Sequence, residues 1–88
     1  MILQYKRMKH ILLKHFKNAN IQIKINGIIS TTLFLENTKI LIDCKKIVLS
    51  NGENENVIID MENINKIDIL NKWHIILKYK NVVVDIQQ

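Results

Sequence analysis

The feature that most constrains the fold is a run of alternating residues that ends in an Asn-Gly dipeptide. Isoleucines alternate with polar residues over positions 21–26, and this period of two is typical of a half-buried β-strand. Asn26-Gly27 suits a two-residue type I′ turn, which needs positive φ at both central residues. A second apolar and β-branched run returns over residues 28–35. The sequence therefore predicts a β-hairpin over residues 20–35.

Short apolar runs separated by polar breaks continue to the C-terminus and predict further strands. These runs fall at residues 39–42, 47–50, 57–61, 64–69, 73–79 and 82–86. Lys80-Asn81 predicts a second two-residue turn, and residues 51–56 predict a polar loop. Residues 28–42 form either one long bent strand or two, and the sequence leaves this open. The short connections favour a small antiparallel β-barrel or roll of five to seven strands.

The N-terminal residues 2–17 predict an amphipathic helix that precedes the strands. Apolar residues and one histidine recur at spacings of three and four and define a single stripe. The stripe contains Tyr5, Met8, Ile11, Leu12, His15 and Phe16. Asn18 or Asn20 is expected to end the helix, because asparagine tolerates the left-handed conformation. The fold class is therefore mainly β, with an N-terminal α-helix.

Charge is distributed unevenly along the chain. The formal net charge of the 88 residues is +5. Residues 1–18 contain five basic residues and no acidic one, whereas eight lysines and eight acidic residues balance over the other 70. The basic residues are Lys6, Arg7, Lys9, Lys14 and Lys17. This asymmetry is the strongest functional indication in the sequence, because a cationic surface attracts anionic partners.

The length predicts a single domain over residues 1–88. Within it we expect a basic helix over 1–18, a β-barrel over 20–70 and a C-terminal hairpin over 73–88. A single cysteine, Cys44, excludes an intrachain disulfide and suits a reducing compartment. The sequence has neither a long apolar run nor the order of a secretory signal. A cytoplasmic location is expected.

Candidate catalytic and metal-ligating residues are sparse. His10 and His15 lie on different sides of the predicted helix, and His74 stands among apolar residues. The two glycines belong to separate turns, so no Gly-rich loop can hold phosphate. We therefore expect no catalytic residues, metal or cofactor. Trp73 and Tyr79 share one face of a predicted strand, which indicates a core or interface role ahead of a base-stacking platform.

The order of elements resembles the Sm-like family, which includes the Sm and LSm proteins and the RNA chaperone Hfq. The resemblance spans about residues 8–70 and rests on residues 20–27, IVLSNG at 47–52 and VIIDMENINKI at 57–67. It implies a bent five-stranded barrel, assembly into rings and RNA binding. It also implies RNA contacts near Glu36, Asn37 and Lys39 in one loop and near Asn63 and Asn65 in another. The Asp-x-aromatic-Asn and Tyr-Lys-His signatures of the family are absent.

These observations together predict a non-catalytic, Sm-like RNA-binding module that forms a homo-oligomer. The predicted nucleic-acid-binding residues are Lys6, Arg7, Lys9, Lys14, Lys17, Asn37 and Lys39. The alternative is a structural or adaptor β-barrel, or a pleckstrin-like domain, that binds a protein partner or a membrane surface. Of these two, the membrane surface is the less favoured partner. An enzyme is the third and least favoured class.

Overall fold

The computed structural model describes residues 2–51 and 56–88. In these residues a helical segment leads into eight antiparallel strands, one more than the upper limit predicted. The elements are α1 (Ile2–Ile11), a π-helical turn (Leu12–Phe16), β1 (Ile21–Asn26), β2 (Ser30–Leu35), β3 (Lys39–Ile42), β4 (Lys46–Ser50), β5 (Asn56–Asp60), β6 (Lys66–Asn71), β7 (His74–Lys78) and β8 (Val83–Gln87). The mainly β fold with an N-terminal helix is confirmed. Most of the predicted 51–56 loop lies outside the described residues.

The helix changes from α to π geometry in its last turn. The Lys17 N–H donates to the Leu12 carbonyl at 3.0 Å, an i to i−5 bond. A wider turn rotates each residue by a smaller angle, so Phe16 stays in line with Met8 and Leu12. All three side chains are fully buried. Asn18 then takes a φ of 65° and ends the helix, as predicted for one of two asparagines.

The first hairpin is confirmed, but its predicted turn is wrong. Asn26 pairs with Ser30, so the connection has three residues, Gly27 to Ile29. Neither Asn26 nor Gly27 has the positive φ that a type I′ turn requires. Changing a hairpin loop by one residue exchanges the two faces of the returning strand. The observed register places Leu33 and Leu35 towards the core and leaves Phe34 outside.

The strands form two sheets. The larger sheet has five strands in the order β2-β1-β8-β7-β6, and the smaller has three in the order β3-β4-β5. The run over 28–42 is therefore two strands, β2 and β3, which the polar break at 36–38 sends to different sheets. This division accounts for the additional strand. Within the described residues neither sheet closes on itself, so the predicted barrel is not confirmed.

The C-terminal residues complete the larger sheet. Strand β8 lies between β1 and β7, with Ile23 and Ile75 both opposite Ile86. The predicted Lys80-Asn81 turn is confirmed, because the Tyr79 N–H donates to the Val82 carbonyl at 2.8 Å. The strand predicted over 73–79 is shorter than expected. It begins at His74, and Lys72-Trp73 forms the turn from β6.

One hydrophobic core joins the helix to both sheets. The helix contributes its stripe and packs against β6. The buried apolar side chains are Met8, Leu12, Phe16, Ile21, Ile23, Leu35, Ile40, Ile47, Leu49, Val57, Ile59, Ile64, Ile67, Ile75, Leu77, Val84 and Ile86. Alternate residues of each strand face this core, which leaves the helix's outer side and the outer faces of both sheets for contact with other molecules.

Candidate nucleic-acid interface

The basic residues of the helical segment are exposed on the sides that do not face the core, and we call them together the cationic helix face. Because Met8, Leu12 and Phe16 turn towards the core, the basic side chains are directed to the solvent. The cationic helix face consists of Lys6, Arg7, Lys9, Lys14 and Lys17, all of which are exposed. Lys6, Arg7 and Lys9 lie in α1, Lys14 lies in the π-helical turn, and Lys17 directly follows it. The surface is therefore an extended strip.

No carboxylate neutralises the cationic helix face within residues 2–51 and 56–88. The ion pairs there join Lys45 to Glu62, Lys66 and Lys78 to Asp68, and His74 to Asp85. Arg7 makes only a 3.4 Å hydrogen bond to the side-chain oxygen of Gln4. The excess positive charge of the sequence is thus gathered on one helix and left unpaired there, as an anion-binding surface requires.

The charged groups of the larger sheet's outer face, by contrast, are largely paired with one another. Asp68 contacts Lys78 at 3.2 Å and Lys66 at 3.5 Å, and hydrogen bonding to Lys78 is the main reason that the pKa of Asp68 is lowered. His74 Nε2 lies 2.8 Å from Asp85 Oδ1. This histidine, which the sequence places among apolar residues, has a carboxylate partner on the neighbouring strand.

The C-terminal end of the helix meets the connection between β2 and β3. The Asn18 N–H donates to the Thr38 carbonyl at 2.8 Å, and the Thr38 N–H and hydroxyl both donate to the Ala19 carbonyl. The Asn37 N–H donates to Asn20 Oδ1 at 3.1 Å. These bonds bring the predicted residues Asn37 and Lys39, both exposed, to the Lys17 end of the cationic helix face.

The N-terminal half of the helix borders an apolar groove of about 360 Å³. Lys6 and Lys9 line this groove. The junction at Asn37 and Lys39 lies at the other end of the helix. The other lining residues are Tyr5, Cys44, Met61, Ile64 and Ile67. The Cys44 thiol is exposed in the turn between β3 and β4. The predicted site residues are thus distributed along the helix and do not converge on a single pocket.

The two aromatic residues that the sequence placed on one strand face are separate in the structure. Trp73 occupies the turn between β6 and β7 and is 50% exposed. Tyr79 lies beyond the end of β7, where its hydroxyl donates to the Asp60 carbonyl at 2.6 Å. Trp73 is therefore not a core residue, and the interface role that the sequence analysis gave as the other possibility stays a prediction. The sequence analysis did not include the neighbouring Lys72 among the candidate site residues. The only indication in the sequence was that Lys72 directly precedes Trp73.

In the second loop that the family resemblance associates with RNA, the Asn63 side chain and the Asn65 backbone make hydrogen bonds within the protein, and both residues are exposed. Asn63 Nδ2 donates to Asp60 Oδ2 at 2.8 Å, and the Asn65 N–H donates to the Lys78 carbonyl at 2.8 Å. Asp60 also accepts the Glu62 N–H. These contacts explain the local structure of the loop. They leave the cationic helix face as the better candidate surface.

Residues 2–51 and 56–88 contain no group of three or more His, Cys, Asp or Glu side chains placed to hold a metal ion. In the same residues no helix has the length and apolar character needed to cross a membrane. Comparison of the chain with protein-family models, curated proteins and solved structures finds no match. A function must therefore be inferred from the surfaces themselves.

Proposed function

We propose that this protein is a non-catalytic RNA-binding protein whose cationic helix face contacts the phosphate backbone. The observation that carries the proposal is the strip of exposed basic side chains with no carboxylate partner among the described residues. Such a strip binds phosphates through charge and release of counterions, without reading the base sequence. Asn37 and Lys39 extend the same surface beyond the Lys17 end of the helix.

Phosphate contacts alone do not distinguish RNA from DNA. RNA is proposed on the strength of the resemblance to Sm-like proteins, and membership of that family stays a prediction. The closure of the strands into a barrel, assembly into a ring and a cytoplasmic location stay predictions as well. Phosphate binding by the helix depends on none of these four, whereas the choice of RNA over DNA depends on the family resemblance.

Reversing three charges of the cationic helix face tests the proposal. We expect Lys9→Glu, Lys14→Glu and Lys17→Glu together to weaken RNA binding by about 100-fold or more, because three phosphate contacts become repulsions. Fluorescence anisotropy with a labelled RNA measures the affinity. The logarithm of the wild-type association constant should fall with the logarithm of salt concentration with a slope of about 3 to 4, if five cations each contact a phosphate of a single strand.

The matched control reverses three lysines on other surfaces, Lys24, Lys46 and Lys80. This variant has the same net charge as the helix variant, so it corrects for the overall field of the protein. We expect it to retain most of the RNA affinity. An equal loss of affinity in both variants would show that net charge, and not the helix, determines binding. Unchanged affinity in the helix variant would reject the helix as the contact surface.

The second candidate function is that of a self-associating structural or adaptor module. The observation that favours it is an apolar row on the outer face of the smaller sheet. Leu41 lies opposite Val48, and Val48 lies opposite Ile58, while Leu41 and Ile58 are 72% and 64% exposed. Adjacent exposed apolar side chains of this kind favour contact with another protein surface.

A further inference from the structure

The turn between β6 and β7 presents the only tryptophan of the chain to solvent. Trp73 is one of two residues in that turn, together with Lys72. A tryptophan that is half exposed in a turn keeps more of its apolar surface in contact with water than one buried in the core. Because half of the residue is exposed, a ligand can reach part of the ring.

Backbone hydrogen bonds on both sides hold this residue in place. The Trp73 N–H donates to Asn71 Oδ1 at 2.8 Å. The Trp73 carbonyl accepts the Gln88 N–H at 3.0 Å. Because the backbone around Trp73 is fixed, a ligand that stacks on the ring does not have to order this segment first.

The same contacts connect the turn to the C-terminal end of the helix. The side-chain amide of Gln88 donates to the His15 carbonyl at 2.5 Å. Gln88 thus links the backbone of Trp73 to that of His15. The turn is therefore connected, through Gln88, to the end of the helix that carries Lys14 and Lys17, although at least 55 residues lie between these lysines and Trp73 in the sequence.

Positive charge surrounds this end of the helix. The Lys72 ammonium group lies 4.6 Å from the centroid of the Trp73 ring, which is within cation–π distance. The pKa of His15 is lowered, first by desolvation and then by the positive charges of Lys14, Lys72 and His10. The turn therefore contributes to the same electrostatic surface as the helix.

We propose that Trp73 stacks on an unpaired base of a single-stranded RNA whose phosphates lie along the cationic helix face. The proposal rests on the proposed function and adds the class of RNA to it. Bases inside a duplex already stack on their neighbours and cannot present a face to a side chain, whereas the bases of a single strand can. Lys72 and Lys14 would hold the phosphates that flank the stacked base.

The test compares two labelled probes that carry the same number of phosphates. One is a short oligouridylate, and the other is an abasic strand of equal length. Anisotropy measures the binding of each, while the emission of Trp73 reports contact with the ring without any mutation, since the chain has no other tryptophan. We expect the oligouridylate to bind about tenfold more tightly and to quench the emission of Trp73, and the abasic strand to bind without quenching.

Two variants complete the experiment on the full chain. Trp73→Leu should lose about tenfold affinity for the oligouridylate and none for the abasic strand, and Trp73→Phe should recover part of that loss. Leu70→Ala is the control, because Leu70 is an exposed apolar residue of the same hairpin and should leave both affinities unchanged. If Trp73→Leu does not fold, the wild-type comparison of the two probes still decides the question.

The outcomes separate this inference from the proposed function. Equal binding of both probes with unchanged tryptophan emission overturns the stacking site and leaves phosphate binding by the helix intact. Failure of both probes to bind at low salt overturns the proposed function and the stacking site together. Tighter binding of duplex RNA than of the oligouridylate also overturns the inference, because a duplex offers phosphates but no free base.

Discussion

At the scale of single residues, the Tyr79 side chain connects the two sheets through a hydrogen bond. It follows β7 of the larger sheet, and its hydroxyl donates at 2.6 Å to the carbonyl of Asp60, the last residue of β5 in the smaller sheet. Burial of the phenol, and secondarily the Asp60 charge, raises its pKa to about 12. Ionisation would remove the donated proton and place a negative charge beside Asp60.

Because this hydrogen bond needs the phenol proton, we expect the free energy of unfolding to fall in alkaline solution. The folded pKa of Tyr79 lies above the unfolded value of about 10, so the folded state retains this proton more tightly. Its contribution is therefore fully present below about pH 10 and is lost as the pH rises towards 12. We expect Tyr79→Phe to be less stable than the wild type by about 1 kcal/mol at neutral pH, with a difference that shrinks above pH 10.

Urea unfolding of both proteins from pH 7 to pH 11 measures this difference. Tyr79→Phe retains every lysine of the wild type, so it serves as the control for lysine titration in the same range. Parallel stability curves for the two proteins would show that the Tyr79 proton is not linked to folding.

At the scale of elements, two adjacent leucines in the π-helical turn report the orientation of the helix, because one is buried and the other is exposed. Leu12 is fully buried, whereas Leu13 is 42% exposed. The two residues have the same side chain and lie in the same turn, so a comparison between them isolates the effect of burial from that of helix propensity. Burial of the stripe is what directs the basic side chains away from the core.

Alanine substitutions at these two positions test that orientation. We expect Leu12→Ala to lower the free energy of unfolding by about 2–5 kcal/mol, because it leaves a cavity in the core. Leu13→Ala should cost less than about 1 kcal/mol. Urea denaturation monitored by circular dichroism measures both. Equal losses would contradict the helix orientation and, with it, the cationic helix face.

At the scale of the whole molecule, the described surface divides into regions of different chemistry. The helix presents unpaired basic groups, the larger sheet presents charges that are mostly paired, and the smaller sheet presents the apolar row of Leu41, Val48 and Ile58. The apolar row itself carries no charge, so covering it removes no ionised side chain of the row from water, although Lys39, Lys46 and Asp60 flank it on the same face. The apolar row is therefore the surface on which a second copy would dock.

Self-association through this row predicts a mass above that of one chain. Light scattering after size exclusion should give a multiple of 10.4 kDa for the wild type. Ile58→Lys should give the mass of a single chain, because it places a charge within the proposed interface. Ile28→Lys is the control, since Ile28 is fully exposed at the tip of the first hairpin. A wild-type mass of one chain at high concentration would reject self-association.

Local patterns in the sequence predicted most of the elements, but not the details that connect them. The helix stripe and the apolar runs were identified because side-chain periodicity reflects which side of an element is buried. The predicted two-residue turn at Asn26-Gly27 is wrong. The register that directs Leu33 and Leu35 to the core outweighs the local preference of Asn-Gly for that turn. Lys72 beside Trp73 was missed for a similar reason, since nothing local connects that turn to the helix.

The sequence by itself determined most of the secondary structure and the position of the excess charge, because both depend mainly on residues that are neighbours in the chain. Only the tertiary structure decided that β8 lies beside β1, that β2 and β3 join different sheets, and that Trp73 is connected through Gln88 to the end of the helix. Backbone hydrogen bonds between strands have the same chemistry whichever strands pair. The choice of partner strand therefore follows from the packing of the whole core, to which distant parts of the chain contribute together.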